Sequence, residues 1–131
     1  MDCPACGHAV IVFRVPSALR EHAPGGTAAI CTRCLAIEAP TDAVPAAEDP
    51  DFSPIIDAFP EGEAGAAMAL AVGLIVDSLA LNRAAIADCM DHASDRGVDP
   101  WLVLERLDAS GAIQTEADLG RAKRQLEQLR E

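Results

Sequence analysis

The chain has no tyrosine, one tryptophan and three phenylalanines among its 131 residues. So few rings leave no platform on which unpaired bases could stack. It has a single lysine, Lys123, and its 10 cations stand against 21 carboxylates, a net charge of −11. That balance excludes a protein that coats nucleic acid through its phosphates. The opening MDCPACG has neither the basic nor the apolar segment of a secretory signal. The longest uncharged stretch in the middle, Ala64 to Val76, has 13 residues, short of the roughly 20 that span a bilayer. No HExxH, P-loop, GxGxxG or Ser/His/Asp order is found. Nothing assembles a general acid, a base and a nucleophile. The expectation is a cytoplasmic non-enzyme with no catalytic or cofactor-binding residue and no membrane partner. Its cysteines should be thiols or metal ligands rather than disulfides.

What is present fits one domain, or a small module joined to a larger one. Half of the residues are hydrophobic, which excludes a disordered chain, but 26 of them are alanine. Acid excess, scarce lysine and abundant alanine suit the cytosol of a halophile, where strong salt screens self-repulsion. GC-rich codon usage in an ordinary acidic protein gives the same bias.

Charge divides the chain. Residues 1–40 carry Arg14, Arg20 and Arg33 against Asp2, Glu21 and Glu38, and the rest carry the whole excess. The break falls at APTDAVPAAEDPDF, whose three prolines and carboxylates read as a hydrated linker over 39–51. Before it, residues 9–15 (AVIVFRV) read as a strand, PSALREH as about one helical turn, and 28–30 and 35–37 as short strands. After it, Phe52, Ile55, Ile56 and Phe59 form a small apolar cluster that should dock on the helices behind. Residues 61–80 read as a central helix, apolar nearly all round. A second helix, or a continuation of the first, covers 82–95 and stops at Gly97. Asp99-Pro100 starts a third helix carrying Trp101, Leu104 and Leu107 on one face. Thr115 with Asp118 resembles a capping box for a last helix with Leu119, Ala122, Leu126 and Leu129 as its apolar stripe.

The strongest signal is Cys3-x2-Cys6 followed by Cys31-x2-Cys34. Two residues between thiolates let one tight turn present both sulfurs to one ion, and two such turns complete a tetrahedral zinc site. Gly7 follows the first pair, where such a turn often needs positive φ; Leu35 follows the second, so that knuckle should be less regular. The 24 residues between the pairs slightly exceed the usual spacing, and PSALREHAPGG accounts for the excess as an insertion at a hairpin tip. Four thiolates leave zinc no open position, so the site is structural. Iron takes the same ligands, but Phe13 is the one aromatic residue near this site.

Other candidates carry less. Cys89 and His92 share a helix face; a buried thiol beside a surface or helix-end imidazole explains them more simply than a second metal pair. His8 either donates to a thiolate from outside the site or sits exposed in a turn, and His22 should be exposed. Asp77 interrupts an apolar helix, where it would pair with an arginine such as Arg83, cap the next helix or meet a partner. The basic GRAKRQLEQLRE reads as an amphipathic last helix with cations near its C-terminal dipole.

CPACG, CTRCL, DFSPIIDAFPEGEA, MALAVGLIVDSLALNRAAI and GVDPWLVLERL together resemble an uncharacterised zinc-ribbon family of halophilic archaea, the small CPxCG-type zinc-finger proteins. The resemblance implies a cytosolic zinc-binding protein of unknown role, with Cys3, Cys6, Cys31 and Cys34 as ligands and no catalytic residue to carry over.

The expected fold class is therefore α+β, with a zinc ribbon of short antiparallel strands at 1–38 and an acidic helical domain at 52–131. The ribbon should pack through Val10, Val12 and Phe13, or through the 52–59 cluster. Each half should have its own core, so that a chelator unfolds the ribbon and spares the helices. The leading role is an adaptor or small regulator that binds another protein, with a homodimer also open. The runner-up is a ribbon touching nucleic acid through Arg14, Arg20 and Arg33, and the third is a redox protein. Composition makes a first prediction. Helical circular dichroism should weaken in dilute buffer and return in molar KCl; equal stability in both would assign the composition to codon usage.

Overall fold

Alternation along residues 10–15 decides which way the N-terminal sheet faces. Phe13 and Val15 are buried and Ile11 packs beside them, whereas Val10 and Val12 lie on the opposite face and take no part in the core. Phe13 is thus the one residue of the expected Val10, Val12 and Phe13 set that meets the helices.

The computed structural model describes residues 2–40, 49–115 and 117–129, so most of the expected linker lies outside the described residues. Strands β1 (Val10–Arg14), β2 (Thr27–Cys31) and β3 (Ile37–Glu38) form an antiparallel sheet in that order. A 3-10 helix, Ser17–His22, fills the β1–β2 connection. Val10 pairs with Cys31 and Phe13 with Ala28 across the first ladder, and Ile30 pairs with Ile37 across the second. β3 starts two residues later than the sequence predicts, because Leu35 takes a left-handed φ of 64° that no strand accommodates. Helices α1 (Gly62–Asp95), α2 (Pro100–Ala109) and α3 (Leu119–Leu129) follow, and the class is α+β as expected.

α1 does not run straight. A helix rises about 1.5 Å per residue, so Glu63 and His92 would stand about 44 Å apart on one axis. Instead His92 Nε2 lies 2.7 Å from Glu63 Oε2, and Arg96 also pairs with Glu63. The chain therefore doubles back into two antiparallel arms. It reverses between Ser78, which is extended at φ −170° and ψ 108°, and Asn82. Both residues cap. Ser78 Oγ accepts the Leu81 N–H at 3.2 Å at the start of the second arm. Asn82 Nδ2 donates to the Leu74 carbonyl near the end of the first arm at 3.1 Å, and to Asp77 Oδ2 at 3.2 Å. Of the two readings open for 82–95, a second helix is the observed one. Asp77 serves the turn between the arms.

The first arm is buried on nearly every side. The 34 residues of α1 hold an 18-residue window as long and apolar as a membrane span, yet 61% of that window is buried inside the molecule. Small residues let neighbours sit against its backbone. A Cβ on Gly73 would lie 2.2 Å from Ile37 Cδ1, and one on Gly65 would lie 3.0 Å from the Phe52 ring. Phe13 meets Phe52 edge to face at 5.7 Å between ring centroids, and Phe59 stacks behind at 5.4 Å. The sheet therefore reaches the helices through Phe13 and the 52–59 cluster together.

Phe13, Val15, Leu19, Ala28, Ile30 and Leu35 belong to the same hydrophobic cluster as α1, α2 and α3. Separate cores are thus not what the chain has. Three strands of at most five residues cannot bury their own apolar face, and α1 supplies the missing layer.

Asp99 caps α2, accepting from the Trp101 and Leu102 amides, with Pro100 at the first position. Asp118 caps α3 by accepting the Arg121 N–H at 3.0 Å. Thr115 is not that cap: its hydroxyl accepts from Ala117 in the preceding turn. Leu119, Ala122 and Leu126 are buried, but Leu129 remains 53% exposed.

Gly73→Ala is expected to lower stability by about 1–3 kcal/mol, because the added methyl must push Ile37 off the helix. With one core, sheet and helices should unfold together at the lower midpoint in a urea titration. An unchanged midpoint would contradict the close seating of β3.

Candidate metal centre

Two loops of matching backbone carry the cysteines. In the first, the Cys3 N–H donates to the His8 carbonyl at 2.8 Å; in the second, the Cys31 N–H donates to the Ala36 carbonyl at 3.0 Å. The offset is five residues in both. The residue after each second cysteine is left-handed, Gly7 at φ 78° and Leu35 at φ 64°. The second knuckle is thus as regular as the first, contrary to the expectation from its missing glycine. A left-handed non-glycine residue costs roughly 1–2 kcal/mol. Burying a leucine side chain returns about 1.5–3 kcal/mol, and Leu35 is fully buried in the shared core. Packing therefore outweighs strain.

The sheet sets the two loops face to face. β1 pairs Val10 with Cys31, and Asp2 bridges to Ala9. Thr32 then fastens the second knuckle to the first, donating from its amide at 3.0 Å and its hydroxyl at 2.9 Å to the Ala9 carbonyl. As a result the sulfurs of Cys3, Cys6, Cys31 and Cys34 all lie within 4.8 Å of one another. Cys3 and Cys34 sulfurs are 3.7 Å apart, and Cys6 and Cys31 sulfurs 3.3 Å. Those separations are far beyond a disulfide bond. Four sulfurs bonded tetrahedrally to one ion at about 2.3 Å stand about 3.8 Å from each other. The donor set thus fits a single thiophilic ion and fills all four of its positions.

Cys6, Cys31 and Cys34 ionise unequally. Cys6 is exposed and accepts from the His8 amide first and from His8 Nδ1, at 3.4 Å, second; its pKa falls to about 6. His8 is thus both exposed and within hydrogen-bond reach of a cluster sulfur. Burial pushes Cys31 upward and Cys34 up to about 12, although the Arg33 and Cys34 amides point at the Cys31 sulfur at 3.4 and 3.5 Å.

The remaining candidates are drawn elsewhere. Cys89 is buried and its pKa is pushed up to about 12 by burial, with the Asp88 charge adding to it. His92 bonds Glu63 instead, so the two form no metal pair. His22, expected in solvent, is largely covered and its Nε2 lies 3.0 Å from Asp88 Oδ2, joining the 3-10 helix to the second arm of α1. Arg14 and Arg20 line one shallow groove near the start of α1. Arg33 does not join them: its guanidinium donates to the Ala112 carbonyl and its own carbonyl accepts from Gln114. Thr32, Leu35 and Arg33 were legible only as loop residues. Their partners lie between 23 and 79 positions away or in the core, and no local pattern announces them.

Fold and cluster together define a class: a small α+β protein whose N-terminal sheet carries a four-cysteine group able to hold one metal ion. More particularly, the chain belongs to a family of unknown function, DUF6276, whose model matches residues 2–130. Neither a curated protein nor a solved structure matches it.

Cation binding must displace protons from Cys31 and Cys34, whose raised pKa values keep them as thiols at neutral pH, while Cys6 is already ionised above about pH 6. Affinity should therefore rise with pH, with at least about two protons released per ion and so about a hundredfold gain per pH unit. Zinc titrations between pH 6.5 and 8 against a chromophoric chelator check this; a pH-independent affinity would contradict it.

Proposed function

We propose that this protein is a non-catalytic cytosolic adaptor whose four cysteines hold one structural zinc ion. The observation that carries the reading is the closed thiolate set, which leaves no coordination position for water or substrate. Soft thiolates suit zinc or iron. Zinc is favoured because Cys6 opens the cluster to solvent and the nearby ring, Phe13, is turned away against Phe52. Bound there, the ion supplies folding energy. Cys3, Cys6, Cys31 and Cys34 would hold it, and Thr32 keeps the two pairs together.

Because the sheet forms one wall of the helical core, the ion stabilises the surface formed by the helices as well as its own loops. That surface is where a protein partner would bind. The nucleic-acid reading is less well supported, since Arg33 is engaged by Ala112 rather than standing beside Arg14 and Arg20.

Elemental analysis of protein purified untagged in high salt should find about one zinc per chain; iron, or no metal with four titratable thiols, would overturn the structural-zinc assignment. Chelation should lower the melting temperature of the helices as well as the ribbon, because they share a core. Helices that keep their full stability after chelation would refute that coupling. For the adaptor role, crosslinking in cells at native salt followed by capture should enrich a protein partner over a control of equal charge. No enriched protein would count against it.

A further inference from the structure

The second arm of α1 and α3 do not close on each other along their outer side. A groove lies there, apolar at one end and lined by both polar and apolar side chains along the rest. One end, of about 250 Å³, is lined by Met90, Trp101, Leu126 and Leu129 with Arg83 at its lip. The groove continues past Arg83 and Leu129 to Leu79 and Gln125, and then past Leu79 and Gln125 to Ile75 and Arg121. Along α3, from its cap Asp118 to Leu129, is 11 residues, about 16 Å or three helical turns. Leu129, the end of the α3 stripe that the fold leaves exposed, forms part of its wall.

Charge singles this groove out. The chain has 21 carboxylates and 10 cations, yet the groove is bordered by Arg83 and Arg121, both exposed. Neither side chain makes an ion pair with another described residue. The one carboxylate on its described walls, Asp118, is occupied in capping α3. A strongly acidic protein thus presents a groove with an apolar end, edged by two arginines that make no ion pair with another described residue.

We propose that this groove binds an amphipathic helix of a partner protein, with an apolar face about three turns long and Asp or Glu on its flanks. Apolar anchors at i, i+3, i+4 and i+7 would lie along the floor, and the flanking carboxylates would meet Arg83 and Arg121. A second copy of this chain is the poorer occupant. A two-fold contact sets each patch against itself, which would bring the arginine edges together. The proposal rests on the adaptor reading and names the chemistry of its partner.

The test uses the full metal-loaded chain at the lowest salt at which it stays folded. The probe is a displayed library of 14-residue helices with leucine fixed at the four anchor positions and the flanks randomised. Selection should enrich Asp and Glu flanks. The selected peptides should shift the fluorescence of Trp101, the chain's sole tryptophan. Arg83→Glu with Arg121→Glu should weaken them by at least about tenfold and turn selection toward Lys flanks. Leu129→Asp, at an exposed position, should weaken both peptide sets without unfolding the chain.

Selection indifferent to flank charge, no enrichment over the Leu129→Asp chain, or an unaltered Trp101 signal would overturn the proposal. So would a dimer in sedimentation that Arg83→Glu dissociates, or anionic vesicles or duplex DNA that shift Trp101 as the peptides do. The two readings fail separately. A captured partner that binds the Arg83→Glu, Arg121→Glu chain undiminished leaves the adaptor standing and removes this groove. Selected peptides without any cellular partner do the reverse.

Discussion

A three-stranded sheet with one apolar face needs a second layer, and here that layer is the alanine-rich first arm of α1. The contact is close because Gly73 has no side chain where Ile37 arrives and Gly65 none where Phe52 arrives. Everything else hangs from this seat. It merges the sheet and the helices into one core. It gives Leu35 a place to bury, which lets the second knuckle adopt the same turn as the first. It also leaves the outer side of the second arm to α2 and α3, whose incomplete closure makes the groove.

The reversal at Ser78 is the second organising event. Without it the 34 residues of α1 would extend about 51 Å, and the second arm could not lie along the first. Polar side chains hold the turn: Ser78 satisfies an amide at the start of one arm, and Asn82 a carbonyl at the end of the other. Glu63 closes the far end on His92 and Arg96. These contacts are largely exposed, so salt screens them, and in strong salt the hairpin must rely on the packing of its small residues.

Much of this was legible in the residues, and what was not has physical reasons. The paired CxxC turns, the apolar run of the first arm and the Asp99-Pro100 start are local signals, and each lies where the sequence puts it. The choice between one long helix and two was left open because Ser78 and Asn82 are ordinary helix-surface residues; only their hydrogen bonds mark a turn. The knuckle at Leu35 was misjudged because glycine is the cheap way to reach positive φ, while the compensating burial comes from α1, far along the chain. The separate cores failed for the same kind of reason. An acidic, proline-rich break looks like a domain boundary, yet apolar faces on either side of it, at Phe13 and Phe52, can still find each other.

Cys34 and Leu35 are adjacent, and they belong to different worlds. One sulfur belongs to the four-cysteine cluster; the next side chain is buried in the core shared with the helices. One peptide bond joins the two residues, so the turn that places the Cys34 sulfur in the cluster also places the Leu35 side chain in the core. Substitution at position 35 meets two incompatible requirements, since the backbone asks for glycine and the core for a large aliphatic side chain. A chain that answers the second demand accepts a left-handed leucine next to a candidate ligand, so the shape of that knuckle depends on packing supplied by residues far along the chain.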